Sequence, residues 1–586
     1  MLNLKRIENI DNNIKQSFID LGYNKLLINL LINRGYEAEI IELLLNTGYS
    51  NELPKYDDLK NVKIGADIIE SHIANGSTIY IYGDYDSDGV NSTYILGDAI
   101  NYAIYYSESS ANLMLKVPER HEGYGLSMNW CKDIVAKKNK DEDVLVITVD
   151  NGIAQEVEVA YLVENNIDVL ITDHHMPNGH TPKNVWIIDA FYNNDDINNK
   201  GLCGAGVAFK LAMTLLDRFD CVPDKDSLYY KYLVHVAIAT ITDSMPMTID
   251  NIKYVYNGIQ LLKDGYGSEA ITYYRDYNSN TVLTPKDIAF GLGPQINACG
   301  RMNNTALALD YLFAESEEVE DLYNEVVLIN EERKTKTKKA FDLAETMIDI
   351  NLPSIIIELD DIEGIGGIVA SNLSSKYNKC TIIFCKDSTG KYLIGSARND
   401  GNIDLLSMLK NINIRRNDII LKVGGHSAAC GITIYADKLY DLIYELNSDI
   451  SSLPVVETDE DTDINIIVDD YITVSDITKE NCDALKHLYF FTETNPVFAI
   501  NDVKILKTKA SNNNNNNIMF TISDKTKSGF EFWSWGIGEQ YRQLGEPTEV
   551  TLIGEIEYKF GKPSFNILNI IPRGMVQIDY KWHNTR

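Results

Sequence analysis

Residues 79–90 read IYIYGDYDSDGV. The apolar, β-branched and aromatic run 79–82 predicts a buried strand. It runs straight into Gly83, after which Asp84, Asp86 and Asp88 alternate up to Gly89. In a continuing strand the three carboxylates share one face; in a tight loop they converge. Repulsion among carboxylates packed this closely in a partly desolvated place costs kcal/mol. A hard divalent cation removes that cost, because oxygen donors are what Mg2+ and Mn2+ select. An ordinary acidic loop is the plainer alternative. A calcium loop does not fit, since no Glu closes it at the twelfth position.

The pattern recurs. VLVITV (144–149) ends in Asp150-Asn151-Gly152, and VLIT (169–172) ends in Asp173-His174-His175. A fourth apolar run, 234–242, leads to Asp243. All four are read as strands delivering Asp or His at their ends. Open parallel α/β sheets bind ligands beyond the carboxyl ends of their strands. That arrangement gathers Asp84, Asp86, Asp88, Asp150, His174, His175 and Asp243 around one point, with donors enough for two metal ions.

These motifs resemble those of the DHH phosphoesterase superfamily, and most closely its RecJ-like single-strand-specific exonuclease branch. Further pieces follow in order: VPERHEGYG (117–125), GAGVAFKLA (204–212), GPQINACGRM (293–302), GSAR (395–398) and GGHSAACG (424–431). A lone DHH triplet is a weak signal; the ordered series is specific. The resemblance covers most of the chain and weakens at both ends. It implies a two-lobed DHH core, a parallel-sheet lobe and a smaller α/β lobe joined by a long helix, followed by an OB-like β-barrel. It also implies two Mn2+ or Mg2+ ions held by Asp86, Asp88, Asp150, His174 and Asp243, with Asp150 bridging and Asp84 ligating or orienting the loop. His175 then faces substrate, and Asn297 and Arg301 lie beside the scissile region. Arg120, Ser396 and Arg398 are expected to hold a 5′ phosphate, which suits bidentate guanidinium donors. Gly424, Gly425 and His426 are expected to bind phosphate from the second lobe. One departure stands out: other branches place a metal-binding His four residues before the first Asp of the DxD pair, and here that position, ahead of Asp86, is Tyr82.

The length of 586 residues points to three or four domains. The reading divides the chain into an N-terminal helical cap (1–60), a DHH catalytic domain (61–250), a connecting helical region (251–350), a DHH-associated domain (351–453) and an OB-like nucleic-acid-binding domain (454–586). No apolar run approaches the roughly 18 residues of a membrane span, and the start of the chain shows no apolar signal core. A cytoplasmic protein of a bacterium or a phage-infected cell is the expectation; the richness in Asn, Ile, Tyr and Lys suggests an AT-rich genome. The eight cysteines form no CxxC pair and are read as reduced thiols. The net charge of −32 argues against a general nucleic-acid coat but leaves room for a local basic channel.

Along the chain, 26–32 and 38–45 read as short amphipathic helices capping the next domain. Gly204 and Gly206 open a helical pattern containing Lys210, either to approach an anion or for close packing. Residues 315–350 read as the connecting helix. Its run Arg333, Lys334, Lys336, Lys338, Lys339 is a solvated face or the wall of a nucleic-acid path. Residues 457–463 read as an acidic linker, and 512–517 as a mobile low-complexity surface hairpin loop. Five short strands between 496 and 571 suggest the barrel. Trp533 and Trp535 share one face of a regular strand there, where they either stack bases or fill the barrel core.

The function expected from the resemblance is metal-dependent 5′→3′ hydrolysis of single-stranded DNA to mononucleotides, in recombination, repair or replication. Single-stranded DNA is the expected partner, with a single-strand-binding protein as a second by family analogy and no membrane association. Two rivals belong to other classes. One is a DHH phosphodiesterase for short oligonucleotides or cyclic dinucleotides, which the extra helices and the barrel disfavour. The other is a non-catalytic DHH scaffold in a replication complex, which the intact acidic set disfavours.

Overall fold

The computed structural model describes residues 2–6, 12–45, 54–140, 142–177, 179–278, 283–387, 389–399, 403–453, 464–486, 488, 495–511, 514–559, 561–574 and 576–579. The chain forms two compact units, Pro54–Glu457 and Met1–Leu53 with Thr458–Arg586. The linker reading at 457–463 lies outside the described residues.

The first lobe of the larger unit is a five-stranded sheet in the order Asn112–Lys116, Thr78–Tyr82, Val144–Val149, Asp168–Thr172, Trp186–Ile188. All its pairings are parallel. Val144–Val149 is buried along its whole length, as a central strand covered on both faces must be. Helices Met128–Lys137 and Glu156–Glu164 close one face through a core that includes Ile134, Val159 and Leu162. Ser87–Tyr106 and Gly204–Leu216 cover the other. The chain's direction of winding reverses between Thr78–Tyr82 and Val144–Val149. The loops leaving those two neighbouring strands diverge and leave a crevice at their carboxyl ends. The Asp84–Asp88 loop and Asp150 stand at this crevice.

The run 234–242 is not a strand. It is the end of helix Lys225–Thr242, and Asp243 is that helix's C-cap. An all-round apolar run reads alike as buried strand or buried helix, and here the neighbouring helices Gly204–Leu216 and Ile249–Asp264 bury it on several sides.

Helix Glu318–Thr346 leads to the second lobe. Its sheet runs Ile420–Gly425, Ala429–Tyr435, Tyr392–Arg398, Cys380–Lys386, Ser354–Glu358. Only the pair Ser354–Glu358 with Cys380–Lys386 is parallel.

In the smaller unit, strands Ser528–Ser534, Ile518–Ser523, Phe498–Ala510, Glu549–Lys559 and Lys562–Pro572 follow one another in the sheet, with Asp470–Ile472 added beside Phe498. The backbone N–H of Ile567 donates to Ser534 Oγ at 2.9 Å, tying the first and last of these strands. This is the OB-like barrel. In the described part of the hairpin loop, Gly538 N–H and Arg542 Nη1 donate to the carbonyls of Asn516 and Asn515, each at 3.0 Å.

The N-terminal segment belongs to the barrel's unit. Leu2–Arg6 is a strand between Ile464–Val468 and Val576–Asp579. Arg34 Nε and Nη2 donate to the two oxygens of Asp469 at 2.6 and 2.9 Å, and Asn24 Nδ2 donates to Asn481 Oδ1 at 2.8 Å. Partners more than 430 residues away leave no local mark in the sequence. Among the described residues no helix is long and apolar enough to cross a membrane, and the eight cysteines form no disulfide.

Candidate metal centre and phosphate-binding cleft

The acidic loop is a tight strand-to-helix turn. Asp86 is the N-cap of helix Ser87–Tyr106 and accepts from Gly89 N–H at 3.0 Å. Asp88, in the first turn, is buried, and its two oxygens accept from Gly204 N–H and Ala205 N–H, both at 2.7 Å. The glycine-led helix Gly204–Leu216 thus does receive an anion at its N-terminus, and that anion is the protein's own Asp88. Lys210 is buried farther along this helix, paired with Asp58.

Asp150 follows the central strand with a left-handed φ of 62°. The next residue, Asn151, is buried and donates to Val149 O at 2.9 Å and Tyr82 O at 3.3 Å, which joins the ends of the two strands flanking the crevice. His174 Nε2 lies 3.1 Å from Asp150 Oδ1, 3.7 Å from Asp88 Oδ2 and 3.8 Å from Asp243 Oδ2. Donor atoms of Asp84, Asp86 and Asp150 lie within 4.8 Å of one another, as do those of Asp88, His174 and Asp243 and those of Asp150, His174 and His175. The structure therefore brings together Asp84, Asp86, Asp88, Asp150, His174, His175 and Asp243, the last from its helix end.

The electrostatics fit a cation. Burial, then the charge of its acidic neighbours, pushes Asp84, Asp86 and Asp150 above the usual carboxylate range and raises Asp243 to about 8. Asp84 Oδ1 and Asp150 Oδ1 are buried and accept no hydrogen bond. Burial lowers His174, leaving a neutral imidazole ready to donate its lone pair. Carboxylate oxygens with a neutral imidazole form a donor set suited to Mn2+ or Mg2+. Tyr82 takes no part. Its ring packs in the core against Trp130, with centroids 4.5 Å apart, so Asp84 is the residue of this loop left with an unused oxygen beside the centre.

His175 sits apart in role. Its Nδ1 lies 2.8 Å from Asp173 Oδ1, and Asp173 also accepts from Ile153, His174 and His175 N–H groups at 3.0, 2.7 and 3.2 Å. Burial disfavours the imidazolium, but the hydrogen bond and charge of Asp173 outweigh it and raise His175 to about 9. Tyr124 Oη lies 3.2 Å from His175 Nδ1. Asp173 and Tyr124 stand inside the DHH and VPERHEGYG motifs, yet sequence reasoning assigned neither a role. The position of Asp173 beside a histidine was the one available signal.

A cleft of about 820 Å3 separates the two lobes, lined by Tyr124, His174 and His175 on one side and Gly424, Gly425 and His426 on the other. Arg120 lies with its guanidinium 4.4 Å from the Tyr85 ring centroid, and its Nε is buried without a hydrogen-bond partner. Asn297 Oδ1 accepts from Ser87 N–H at 2.8 Å, so it positions the acidic loop. Arg301 Nη1 donates to Gly364 O at 3.0 Å. Burial, then the charges of Arg120 and Arg333, pulls Arg301 down to about 10. Burial also lowers Arg398, which feels Arg120 as well. Arg398 and Ser396 face the start of helix Gly366–Tyr377, where a Cβ on Gly367 would stand 2.8 Å from Arg398 Nη2 and 3.7 Å from Ser396 Oγ. Mutually repelling, desolvated guanidiniums are stabilised by an anion set between them. Of the basic run on the connecting helix, Arg333 contributes to this field. Lys334 and Lys336 are paired with Glu331 and Asp361, each at 2.7 Å.

Comparison with known proteins agrees with this architecture. Residues 78–240 match the DHH family, N-terminal domain; 354–452 match the DHHA1 domain; 468–562 match the RecJ OB domain. The chain is similar to the single-stranded-DNA-specific exonuclease RecJ of Haemophilus influenzae, 29% identical over 390 residues that cover 64% of this chain and 66% of the relative. It is also similar to the RecJ of Bacillus subtilis, 31% identical over 436 residues that cover 72% of this chain and 52% of the relative. The matched part thus spans between half and two-thirds of those relatives. The crystal structure of RecJ in complex with Mn2+ from Thermus thermophilus shares the fold, with a TM-score of 0.77 at 20% identity over 97% of this chain and 79% of that one.

Proposed function

We propose that this chain, with its similarity to the DHH, DHHA1 and RecJ OB domains and to RecJ exonucleases, is a RecJ-like two-metal phosphodiesterase that degrades single-stranded DNA from the 5′ end to mononucleotides. The convergence of five aspartates and His174 at the sheet's switch point, beside a cluster of desolvated arginines, carries this reading.

Asp84, Asp86, Asp88, Asp150, His174 and Asp243 would hold the metal pair. When bound, two divalent cations supply an acidified water and neutralise charge developing on phosphate oxygens. The remaining work belongs to the protein. Gly204 and Ala205 fix the Asp88 carboxylate, so it needs no reorganisation. His174 stays neutral, and its Nε2 is held among three carboxylates. His175, cationic at neutral pH and oriented by Asp173, would give a proton to the leaving or non-bridging oxygen. Arg120, Ser396 and Arg398 would hold a terminal phosphate, which starts cleavage at the 5′ end. Arg301 and His426 would hold the phosphates beside it.

The test is digestion of a long, 5′-phosphorylated, 3′-labelled single strand with Mn2+, beside a 5-mer and a duplex. Mononucleotide release from the long strand, absent for the duplex and for Asp150→Ala, sustains the proposal. Cleavage of the 5-mer alone would assign the protein to the small-substrate phosphodiesterases instead.

A further inference from the structure

The loop that carries Arg120 is tied down by the residue before it. Both carboxylate oxygens of Glu119 accept from Thr305 N–H, at 3.0 and 3.2 Å, and Oε2 also accepts from Thr305 Oγ1 at 3.0 Å. Thr305 opens helix Thr305–Phe313 and is fully buried. Asn304, the N-cap of that helix, makes no side-chain capping bond. The orphan N–H at the helix start is therefore satisfied by a carboxylate 186 residues away in the chain. Within its own loop, Glu119 N–H donates to Glu122 Oε2 at 2.7 Å, and Lys116 Nζ reaches the same oxygen at 2.9 Å. The loop is closed on itself and pinned outside itself at Thr305.

That anchor leads to the second arginine. Thr305 follows shortly after Arg301, the last residue of helix Gly293–Arg301, and the turn between them is held by Asn304 N–H, which donates to Cys299 O at 2.9 Å. Glu119 thus joins the element of Arg120 to the element of Arg301, although the charge of Arg120 helps pull Arg301 down and the two guanidiniums repel. Arg120 itself rests over the Tyr85 ring, with Nε buried and without a hydrogen-bond partner. The acid next to it in sequence is turned to Thr305, which leaves the guanidinium open to an external anion.

We propose that Glu119 is a positioning residue for Arg120: it braces that arginine against Arg301 through Thr305 and keeps its own carboxylate off the guanidinium, so that both arginines face a terminal phosphate. The proposal rests on the reading of Arg120 as part of the 5′-phosphate pocket. Its sign is opposite to that of plain electrostatics. Removing an acid beside an anion site strengthens anion binding by charge alone; removing a brace weakens it.

The test uses the full chain and one labelled single strand carrying either a 5′ phosphate or a 5′ hydroxyl. Binding is measured by anisotropy in EDTA, and kcat and KM with Mn2+. The readout is the ratio between the two strands, which a general loss of folded protein does not move. In Glu119→Ala the preference for the phosphorylated strand should fall about tenfold, in affinity and in KM, the size of one charged hydrogen-bonded contact. Glu119→Gln keeps an acceptor for Thr305 N–H and should retain most of the preference. In an Arg120→Ala background, Glu119→Ala should cost no further preference, because the brace and the braced residue act as a unit. A preference kept or increased in Glu119→Ala overturns the proposal, as does an additive loss in the double variant. If Glu119→Ala melts early, Glu119→Asp, one methylene shorter, decides: a lowered preference sustains the brace and an unchanged one overturns it. A wild type that cleaves no strand sinks the nuclease reading alone, since a phosphate preference in binding that Glu119→Ala loses still sustains the brace. A wild type without preference by either measure overturns it.

Discussion

The backbone N–H of Gly204 donates to Asp88 at 2.7 Å, and the same residue stands so close to Asp150 that a Cβ there would meet Asp150 Oδ1 at 2.5 Å. One glycine thus clamps one candidate metal ligand and makes room for another. Gly204→Ala is expected to fold, since its φ is helical, but to displace Asp150. Misplacing a reacting group by about 1 Å costs about 100-fold in rate. Nuclease activity should fall by that order while the melting temperature changes little; near-normal turnover would show that Asp150 has slack.

His175 is held near 9 by Asp173. If the imidazolium is the form that works, activity falls as pH rises through that value, so the basic limb of kcat should lie near pH 9. Asp173→Asn removes the charge that raises it. The limb should then move down toward the ordinary histidine value of about 6.5. An unmoved limb would assign it to another group.

The terminal-phosphate pocket predicts a substrate preference. A 5′-phosphorylated single strand should be degraded faster than its 5′-hydroxyl twin. Arg398→Ala should erase most of that difference, a loss of about 10-fold for a charged hydrogen-bonded contact. Equal rates for both strands with the wild-type protein would remove Arg120, Ser396 and Arg398 from any role in polarity.

The bond between the N-terminal segment and the barrel unit is a forked, largely buried ion pair, with Arg34 and Asp469 side chains 12% and 6% exposed. Asp469→Ala removes the carboxylate that the buried arginine forks onto and the acceptor of Val497 N–H. Breaking one side of a buried pair costs about 3 kcal/mol. The variant should show a lower urea midpoint and faster proteolytic release of residues 1–53. An unchanged midpoint would mean that the segment is held by its apolar contacts alone.

Much of this site was legible one stretch at a time. Asp84, Asp86, Asp88, Asp150 and His174 follow directly after short apolar strands, and a carboxylate cluster advertises its own repulsion. Asp243 announced itself by the same pattern for a different reason, since its apolar run is a helix. Periodicity cannot separate the two when an element is buried all round, so the residue was found while its element was misread. Trp533 and Trp535 were visible as a pair, but their side of the barrel depended on register.

The sequence by itself determined the α/β class, the order of the lobes and the donor chemistry of the centre, because strand ends, glycine turns and clustered charge are local and leave local marks. Only the tertiary structure decided that Gly204 and Ala205 spend their N–H groups on Asp88, that Tyr82 is core, and that residues 1–53 belong with the barrel. Each of these depends on groups distant in the chain meeting at hydrogen-bond or contact distance, and chain closure over such spans is set by the packing of the whole unit.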